Sequence, residues 1–209
     1  MERELPVIKN KFINALVFFA GININGCTHT VDFPAVHFSD YQTHDKVDFH
    51  LALRLSDDFR NAKSVRAQGF ETFIVPLGGN LTINAEILTR AIFTEVTVLK
   101  ENDAPLDSQI RAILIPRIIS SARVSPISSF IKQIPKIVVV LEWALRDRED
   151  NLIWIDTITA EGKVTELGNS VEENRLKLTE SLVRDLFGKS YDAFLSAPEI
   201  RKLSTNRSS

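Results

Sequence analysis

A metal site is the first chemistry that the sequence suggests, because four histidines lie within 22 residues of one another: His29, His37, His44 and His50. Imidazole binds zinc and related metals, and nearby aspartates could add oxygen ligands. Ligands on one element usually recur at short, regular spacings, whereas these histidines are eight, seven and six residues apart. The spacing favours a solvated linker that contains histidine, and we expect no metal and no other cofactor.

A glycine pair ahead of a helical pattern could bind an anion. Gly78-Gly79-Asn80 would present backbone N–H groups at a helix N-terminus, where phosphates bind. The segment lacks the Lys-Ser/Thr pair of a P-loop and the third glycine of a dinucleotide fingerprint. A plain strand-to-helix turn is therefore the favoured interpretation.

Clustered carboxylates at Asp147, Glu149 and Asp150, with Arg148 between them, could support acid–base chemistry. A hydrolase could use Asp147 or Asp156 beside a bound metal. Charge at the turn of a hairpin more commonly serves solubility, and the chain has no Gly-x-Ser-x-Gly elbow. We therefore expect a protein that is not an enzyme, with a hydrolase as the alternative.

The overall composition fits one folded domain. Of 209 residues, 44% are hydrophobic and 25% are charged, close to the averages for globular proteins. The formal net charge is -2, so there is no broad basic field, and nucleic-acid binding is not expected. The single cysteine excludes an internal disulfide and multi-cysteine metal sites. Its position is therefore the informative property.

The first residues have the basic-then-apolar order of an export signal. Arg3, Lys9 and Lys11 precede residues 12–22, an apolar run interrupted by one asparagine. As a helix, this run would cover roughly 17 Å, whereas a bilayer core needs about 30 Å. It is too short for a good permanent transmembrane anchor.

The run leads to Ile24-Asn25-Gly26-Cys27, which resembles the lipobox of bacterial lipoproteins. The resemblance implies cleavage before Cys27 and attachment of several acyl chains, such as palmitate, to that residue. Ile24 stands where leucine is usual, and Asn25 where a smaller residue is usual. Thr28 follows the cysteine, where aspartate would imply retention at the inner membrane, so the resemblance implies the outer membrane.

The alternative is that residues 12–22 form a core element and that Cys27 is a buried small hydrophobe. A core segment has no reason to follow basic residues and end at a small-residue cysteine site. We therefore divide the chain into a signal peptide (1–26), a lipidated tether (27–48), a periplasmic α+β domain (49–203) and a flexible tail (204–209).

Residues that alternate between apolar and polar predict the strands of this domain. The predicted strands are Phe49–Ser56, Phe70–Leu77, Val96–Leu99 and Ala112–Ile119, and a hairpin of Ile137–Leu145 with Leu152–Ala160. In the first hairpin strand, the residues expected on one face are Ile137, Val139, Leu141, Trp143 and Leu145.

Two helices are predicted from three- and four-residue steps. The first spans Leu81 to Glu95, with Asn80 or Thr82 as its N-cap. The second opens with the capping-box spacing at Ser170 and is expected to stop at Gly188, before one more short helix. Its expected buried stripe is Leu178, Leu182, Val183, Leu186 and Phe187. The order predicts an α+β fold with a single, mostly antiparallel sheet and two main helices packed on one face.

This order of elements resembles small periplasmic lipoproteins, among them penicillin-binding-protein activator lipoproteins, transport auxiliary lipoproteins and the amino-terminal domain of TolB. The residues that carry the likeness are 140–147, which turn into 153–156. The resemblance covers roughly residues 49–200 and implies a non-enzymatic, partner-binding domain.

The sequence therefore predicts a lipid-anchored adaptor or accessory subunit in envelope assembly or transport, on the outer membrane and facing the periplasm. Its expected partners are the membrane, through the lipid on Cys27, and an envelope protein, bound at a sheet edge or the helix-free face. A homo-oligomer is left open, as are an envelope hydrolase and a carrier of lipid or glycan. Trp143 and Trp154, on the two hairpin arms, are either packing residues or aromatic partner contacts.

Overall fold

The computed structural model describes residues 27–30, 34–37, 46–68, 71–103, 108–123, 136–166 and 168–203. The strands in these ranges are β1 (Cys27–Thr30), β2 (Val47–Leu55), β3 (Lys63–Gln68), β4 (Glu71–Pro76), β5 (Phe93–Lys100), β6 (Ala112–Arg123), β7 (Lys136–Asp147) and β8 (Leu152–Lys163). The helices in the same ranges are α1 (Asp57–Arg60), α2 (Gly78–Ile92), α3 (Val171–Ser196) and α4 (Pro198–Leu203).

The strands form two sheets, which confirms an α+β fold but corrects the prediction of one sheet. A five-stranded sheet has the order β5-β2-β6-β7-β8, and a three-stranded sheet has the order β1-β4-β3. In the larger sheet the long β6–β7 and β7–β8 pairings are antiparallel, whereas β2 pairs in parallel with both β5 and β6. Parallel neighbours need a crossover connection, and the chain between β2 and β5 supplies one through α2.

The sequence predicted one strand pairing, the hairpin that β7 and β8 form in the structure. Every residue assigned to the inner face of β7 is at most 1% exposed: Ile137, Val139, Leu141, Trp143 and Leu145. At the turn between the strands, Asp150 has a φ of 69°, in the left-handed region that aspartate tolerates better than most side chains. The prediction of this hairpin and its buried face is confirmed.

Helices α2 and α3 contact each other and contribute to the same large hydrophobic core, which covers one face of the five-stranded sheet. Alternate residues of β2 and β7 point into that core. A small separate cluster of Ala52, Leu99, Ile110 and Ile113 lies on the other face. The prediction that both main helices pack on one face is therefore confirmed.

Helix α3 begins as the capping box predicts and ends later than predicted. The Ser170 hydroxyl accepts from the Glu173 N–H at 3.0 Å. The helix continues through Gly188 to Ser196, so the predicted stop at Gly188 is wrong. Glycine inside a helix costs only about 1 kcal/mol, and burial of Tyr191 and Phe194 in the core offsets this cost.

Helix α2 begins at Gly78, so neither Asn80 nor Thr82 is its N-cap; that position is Leu77, without a side-chain cap bond. The start requires glycine, because a Cβ at Gly78 would lie 1.9 Å from the Arg60 carbonyl oxygen. Asn80 is buried and bonds instead to the segment 34–37.

Parts of residues 27–48, which were predicted to be a tether, pack against the fold. Strand β1 pairs with β4, and the Val36 N–H donates to Asn80 Oδ1 at 2.7 Å. Strand β2 begins at Val47, two residues before the predicted domain boundary. The predicted signal peptide (1–26) and tail (204–209) lie outside the described residues.

Candidate functional site

The predicted lipid acceptor, Cys27, is the first residue of β1. Its Cα partner across the parallel β1–β4 pairing is Glu71, and Thr28 pairs with Thr72 in the same register. The backbone of Cys27 therefore belongs to the three-stranded sheet. A lipid attached at this residue would be joined to the fold directly, without the intervening tether that the sequence suggested.

Trp143 is wholly buried and has no surface to offer a partner. Its indole N–H donates to Ser190 Oγ at 2.9 Å, and its ring lies 5.2 Å from the Phe194 ring in an edge-on arrangement. This burial corrects the interpretation of Trp143 as a partner contact: its inward register on β7 makes it a core residue.

Trp154 is half-buried and faces the helical layer. Its ring centroid lies 5.0 Å from that of Phe194, with the two ring planes inclined by 42°. The exposed apolar side chains on β8 are its neighbours Leu152, 49% exposed, and Ile155, 48% exposed. Successive side chains of a strand point to opposite faces, so the sequence itself indicates that Ile155 lies on the face opposite to Trp154.

The helix-free face of the sheet carries an apolar row that ends at the edge. Ile115 of β6 pairs with Ala144 of β7, and Ala144 pairs with Ile155 of β8. The row is bordered by an ion pair between Arg117 Nη2 and Glu142 Oε1 at 3.0 Å. An apolar centre with a charged border is an arrangement that also occurs at protein–protein interfaces.

Half of the β8 edge is covered by α3. Three α3 side chains spaced four residues apart reach backbone groups of β8 that point away from β7. The contacts are Ser181 Oγ with the Lys163 N–H (3.2 Å), Asp185 Oδ2 with the Glu161 N–H (2.8 Å), and Lys189 Nζ with the Thr159 carbonyl (3.0 Å). These side chains occupy the positions that a neighbouring strand would fill, so no strand can add there.

The other half of the edge, Trp154–Thr157, lacks such a cover in the described part of the chain. The ladder with β7 is regular from Trp154 to Lys163, so the N–H and carbonyl of Ile155 point outward like those of Thr159 and Glu161. The Thr157 N–H is satisfied locally by Asp156 Oδ1 at 2.7 Å. The Ile155 backbone thus presents one donor and one acceptor at an open sheet edge.

An open groove of about 570 Å³ lies between β8 and α3. Its lining includes Glu161, Ser181, Asp185 and Lys189, which also make the edge contacts just described. Lys189 Nζ lies 2.8 Å from Asp185 Oδ2, and Lys136 forms an ion pair with Glu161. These charged side chains are engaged with backbone groups or with each other.

The candidate catalytic carboxylates do not converge. Asp147 accepts from the Asn151 N–H at 2.8 Å and from its side-chain amide at 2.9 Å, and the side-chain bond is the main cause of a lowered pKa of Asp147. Asp156 on β8 pairs with Trp143 of β7, and Trp143 is four residues before Asp147 on the same strand. At about 3.4 Å per residue, the two aspartates are roughly 14 Å apart along the strand direction.

The described histidines are dispersed. His50 on β2 places Nε2 2.9 Å from Thr97 Oγ1 and Nδ1 3.3 Å from Glu95 Oε2. His37 is exposed in the segment 34–37, His29 belongs to β1, and His44 lies outside the described residues. Among the residues that the structure describes, no three His, Cys, Asp or Glu side chains are grouped to hold a metal ion. In the same ranges, none of the helices has the length and hydrophobicity needed to cross a membrane.

The comparisons with known proteins found solved structures with a similar fold but no relative by sequence. No family model matches the chain, and no curated protein matches it. The chain is similar in structure to a DUF330 protein from Xanthomonas campestris, with 10% identity over 80% of this chain and 95% of that chain and a TM-score of 0.48. It is also similar to a minor lipoprotein from Acinetobacter baumannii, with 17% identity over 78% of this chain and 96% of that chain and a TM-score of 0.37. A third similar structure is lipoprotein GNA1162 from Neisseria meningitidis, with 12% identity over 71% and 99% of the two chains and a TM-score of 0.39. At these values the similarities do not assign the chain to a family.

Proposed function

We propose that this chain is a lipoprotein of the bacterial cell envelope, acylated on Cys27, that acts without catalysis as an adaptor or accessory subunit in envelope assembly or transport. One observation carries the proposal. A basic and then apolar segment of the sequence, from Arg3 to Ile22, leads to Ile24-Asn25-Gly26-Cys27, which contains the sole cysteine of the chain.

The anchor sets the strength of membrane attachment. Each buried methylene contributes about 0.8 kcal/mol, so one acyl chain binds reversibly, whereas two or more chains hold a protein on its membrane. Because Cys27 pairs with Glu71 in the three-stranded sheet, the anchor would hold that sheet close to the bilayer surface. Thr28 in place of an aspartate favours the outer membrane and a domain facing the periplasm.

Two features of the described surface support binding rather than catalysis. Asp147 is held by Asn151 at the hairpin tip, far from Asp156, so a hydrolase that uses both lacks its geometry. The helix-free face and the open part of β8 instead offer apolar side chains beside the backbone groups of Ile155, which have no partner among the residues that the structure describes. Such a surface suits a protein partner in the envelope.

Metabolic labelling with an alkyne fatty acid tests the anchor. The wild-type chain should incorporate the label, the Cys27→Ala variant should not, and Thr30→Ala, an exposed change in the same strand, should label like wild type. Labelling is preferable to fractionation, because an uncleaved leader could hold the Cys27→Ala precursor on the membrane. Equal labelling of Cys27→Ala and wild type, or no labelling of either, contradicts the proposal.

A Thr28→Asp variant tests the choice of membrane. If Thr28 directs the protein outward, separated membranes should show wild type in the outer membrane and the aspartate variant in the inner membrane. An identical distribution of the two proteins contradicts the outer-membrane assignment while leaving acylation of Cys27 untouched.

A further inference from the structure

We infer that the open stretch of β8, Trp154–Thr157, is where a second copy of this chain docks, by antiparallel pairing of β8 with β8. The inference does not depend on the lipid anchor. It follows from the backbone of the edge strand, from the side chains on its two faces and from the one register that those side chains permit.

An open sheet edge is a template for pairing, and proteins normally protect such edges with lysine, proline, a bulge or a covering element. The covered half of β8 shows this protection, through Ser181, Asp185 and Lys189 of α3. The open half contains neither lysine nor proline, and its one charged side chain, Asp156, accepts from the neighbouring Thr157 N–H and leaves the Ile155 backbone groups uncovered. Its regular ladder continues to Trp154 before the bulge. Ile155 is 48% exposed there, so its apolar side chain lies beside the outward N–H and carbonyl of its own backbone.

The charge pattern selects one register. When Ile155 lies opposite the Ile155 of the second copy, Asp156 faces Trp154, and like charges do not meet. A shift by two residues places Asp156 directly opposite the second Asp156, and like charges in that position destabilise a strand pair. A shift of two residues in the opposite direction places Trp154 opposite the second Trp154. The bulge between Leu152 and Trp154 would then lie within the paired segment.

In the Ile155-centred register, both Ile155 residues donate and accept one backbone hydrogen bond each. Their side chains would join the apolar rows Ile115–Ala144–Ile155 of the two copies on the helix-free face. The two five-stranded sheets would become one continuous sheet. Because α3 covers the edge from Thr159 onward, the paired segment is confined to the open stretch. Because Ile155 pairs with the Ile155 of the second copy, the contact is two-fold symmetric and self-complementary.

Photo-crosslinking of the full chain in living cells tests this contact. Two differently tagged copies would be co-expressed, with a photoreactive residue at position 155 or, as the control, at Leu176, which is 40% exposed on α3. Position 155 should give a product with twice the mass of one chain that carries both tags, and position 176 should not. No product from position 155, a product with another protein, or double-tagged products of equal yield from both positions would overturn the inference.

A second reporter separates loss of contact from loss of fold. With the photoreactive residue at Thr157, the double-tagged product should be lost in Ile155→Lys and retained in Leu176→Lys, while both variants resist protease like wild type. Retention of the product in a protease-resistant Ile155→Lys variant would overturn the inference. Should Ile155→Lys fail to fold, the milder Ile155→Thr is compared in the same assay, where retention of the full wild-type yield would overturn it.

Discussion

The indole N–H of Trp143 donates to the hydroxyl of Ser190 at 2.9 Å, inside the core and away from solvent. The same hydroxyl donates to the Leu186 carbonyl at 2.8 Å. This pair of bonds joins the middle of β7 to the later turns of α3. The largest buried side chain of the protein's described part is thereby held by a residue that lies beyond Gly188.

Replacing Ser190 with alanine should leave the buried indole N–H without an acceptor. An orphaned buried donor costs about 1–3 kcal/mol, so Ser190→Ala should lower the free energy of unfolding by that amount. The measurement is denaturant unfolding of the purified protein. Ser196→Ala, on the exposed end of α3, should change it by less than about 0.5 kcal/mol. Equal stabilities of the two variants would count against a role for the Trp143–Ser190 bond.

Sequence reasoning placed Trp143 on the correct face of its strand but missed its partner. Period-two alternation fixes which face is buried, and this is why the β7–β8 hairpin could be predicted residue by residue. The partner was missed because helix α3 was expected to stop at Gly188, which left Ser190 outside it. Tertiary burial of Tyr191 and Phe194 outweighs the weak helix propensity of one glycine. The signal was present in the sequence, because the steps from Phe187 to Tyr191 and Phe194 continue the buried stripe through Gly188.

Gly162 marks a close approach between β8 and α3. A Cβ at this position would lie 2.7 Å from the Leu182 Cβ and 2.8 Å from the Leu178 carbonyl oxygen. Gly162→Ala should therefore push the helix off the sheet, at a cost of about 1–3 kcal/mol in a thermal or denaturant melt. Gly79→Ala is the matched control, because a Cβ at Gly79 would meet no atom within 4 Å in the described part of the chain. If Gly162→Ala is as stable as Gly79→Ala, the close packing described here is incorrect.

Asn80 connects helix α2 to the segment 34–37. Its Oδ1 accepts from the Val36 N–H, and its Nδ2 donates to the Pro34 carbonyl at 3.1 Å. In Asn80→Ala, amide hydrogen exchange at Val36 should accelerate, and stability should fall by about 1–3 kcal/mol as partly buried groups lose their partners. The exposed Asn61→Ala should leave the exchange of Val36 unchanged. Unaltered exchange in Asn80→Ala would mean that the segment is held by other contacts.

The carboxyl of Asp147 should titrate below the ordinary aspartate range. The side-chain amide of Asn151 is the main cause of its lowered pKa. Since the folded pKa lies below the unfolded value of about 3.9, the stabilisation is complete above that pH and is lost as pH falls through the folded pKa. Asn151→Ala should raise the pKa of Asp147 in an NMR titration, whereas Asn174→Ala should not. An unchanged pKa in Asn151→Ala would contradict this assignment.

Some features of this protein could be predicted from the amino-acid sequence, and others depend on the tertiary structure. Cys27 could be proposed as a lipid acceptor from composition and order along the chain, because an export leader is a local pattern. The two-sheet arrangement was not, because the smaller sheet combines the local β3–β4 hairpin with the pairing of β4 to β1, which is distant in the sequence. The open stretch of β8 could not be found either, since its exposure depends on where the side chains of Ser181, Asp185 and Lys189 stop covering the edge.

The mass of the mature protein, isolated from its native membrane, tests the central claim most directly. Lipid anchoring predicts that the N-terminal residue is Cys27 and that its peptide carries the added mass of several acyl chains. A native polypeptide that begins at Met1 with an unmodified Cys27 thiol would contradict the proposed envelope role.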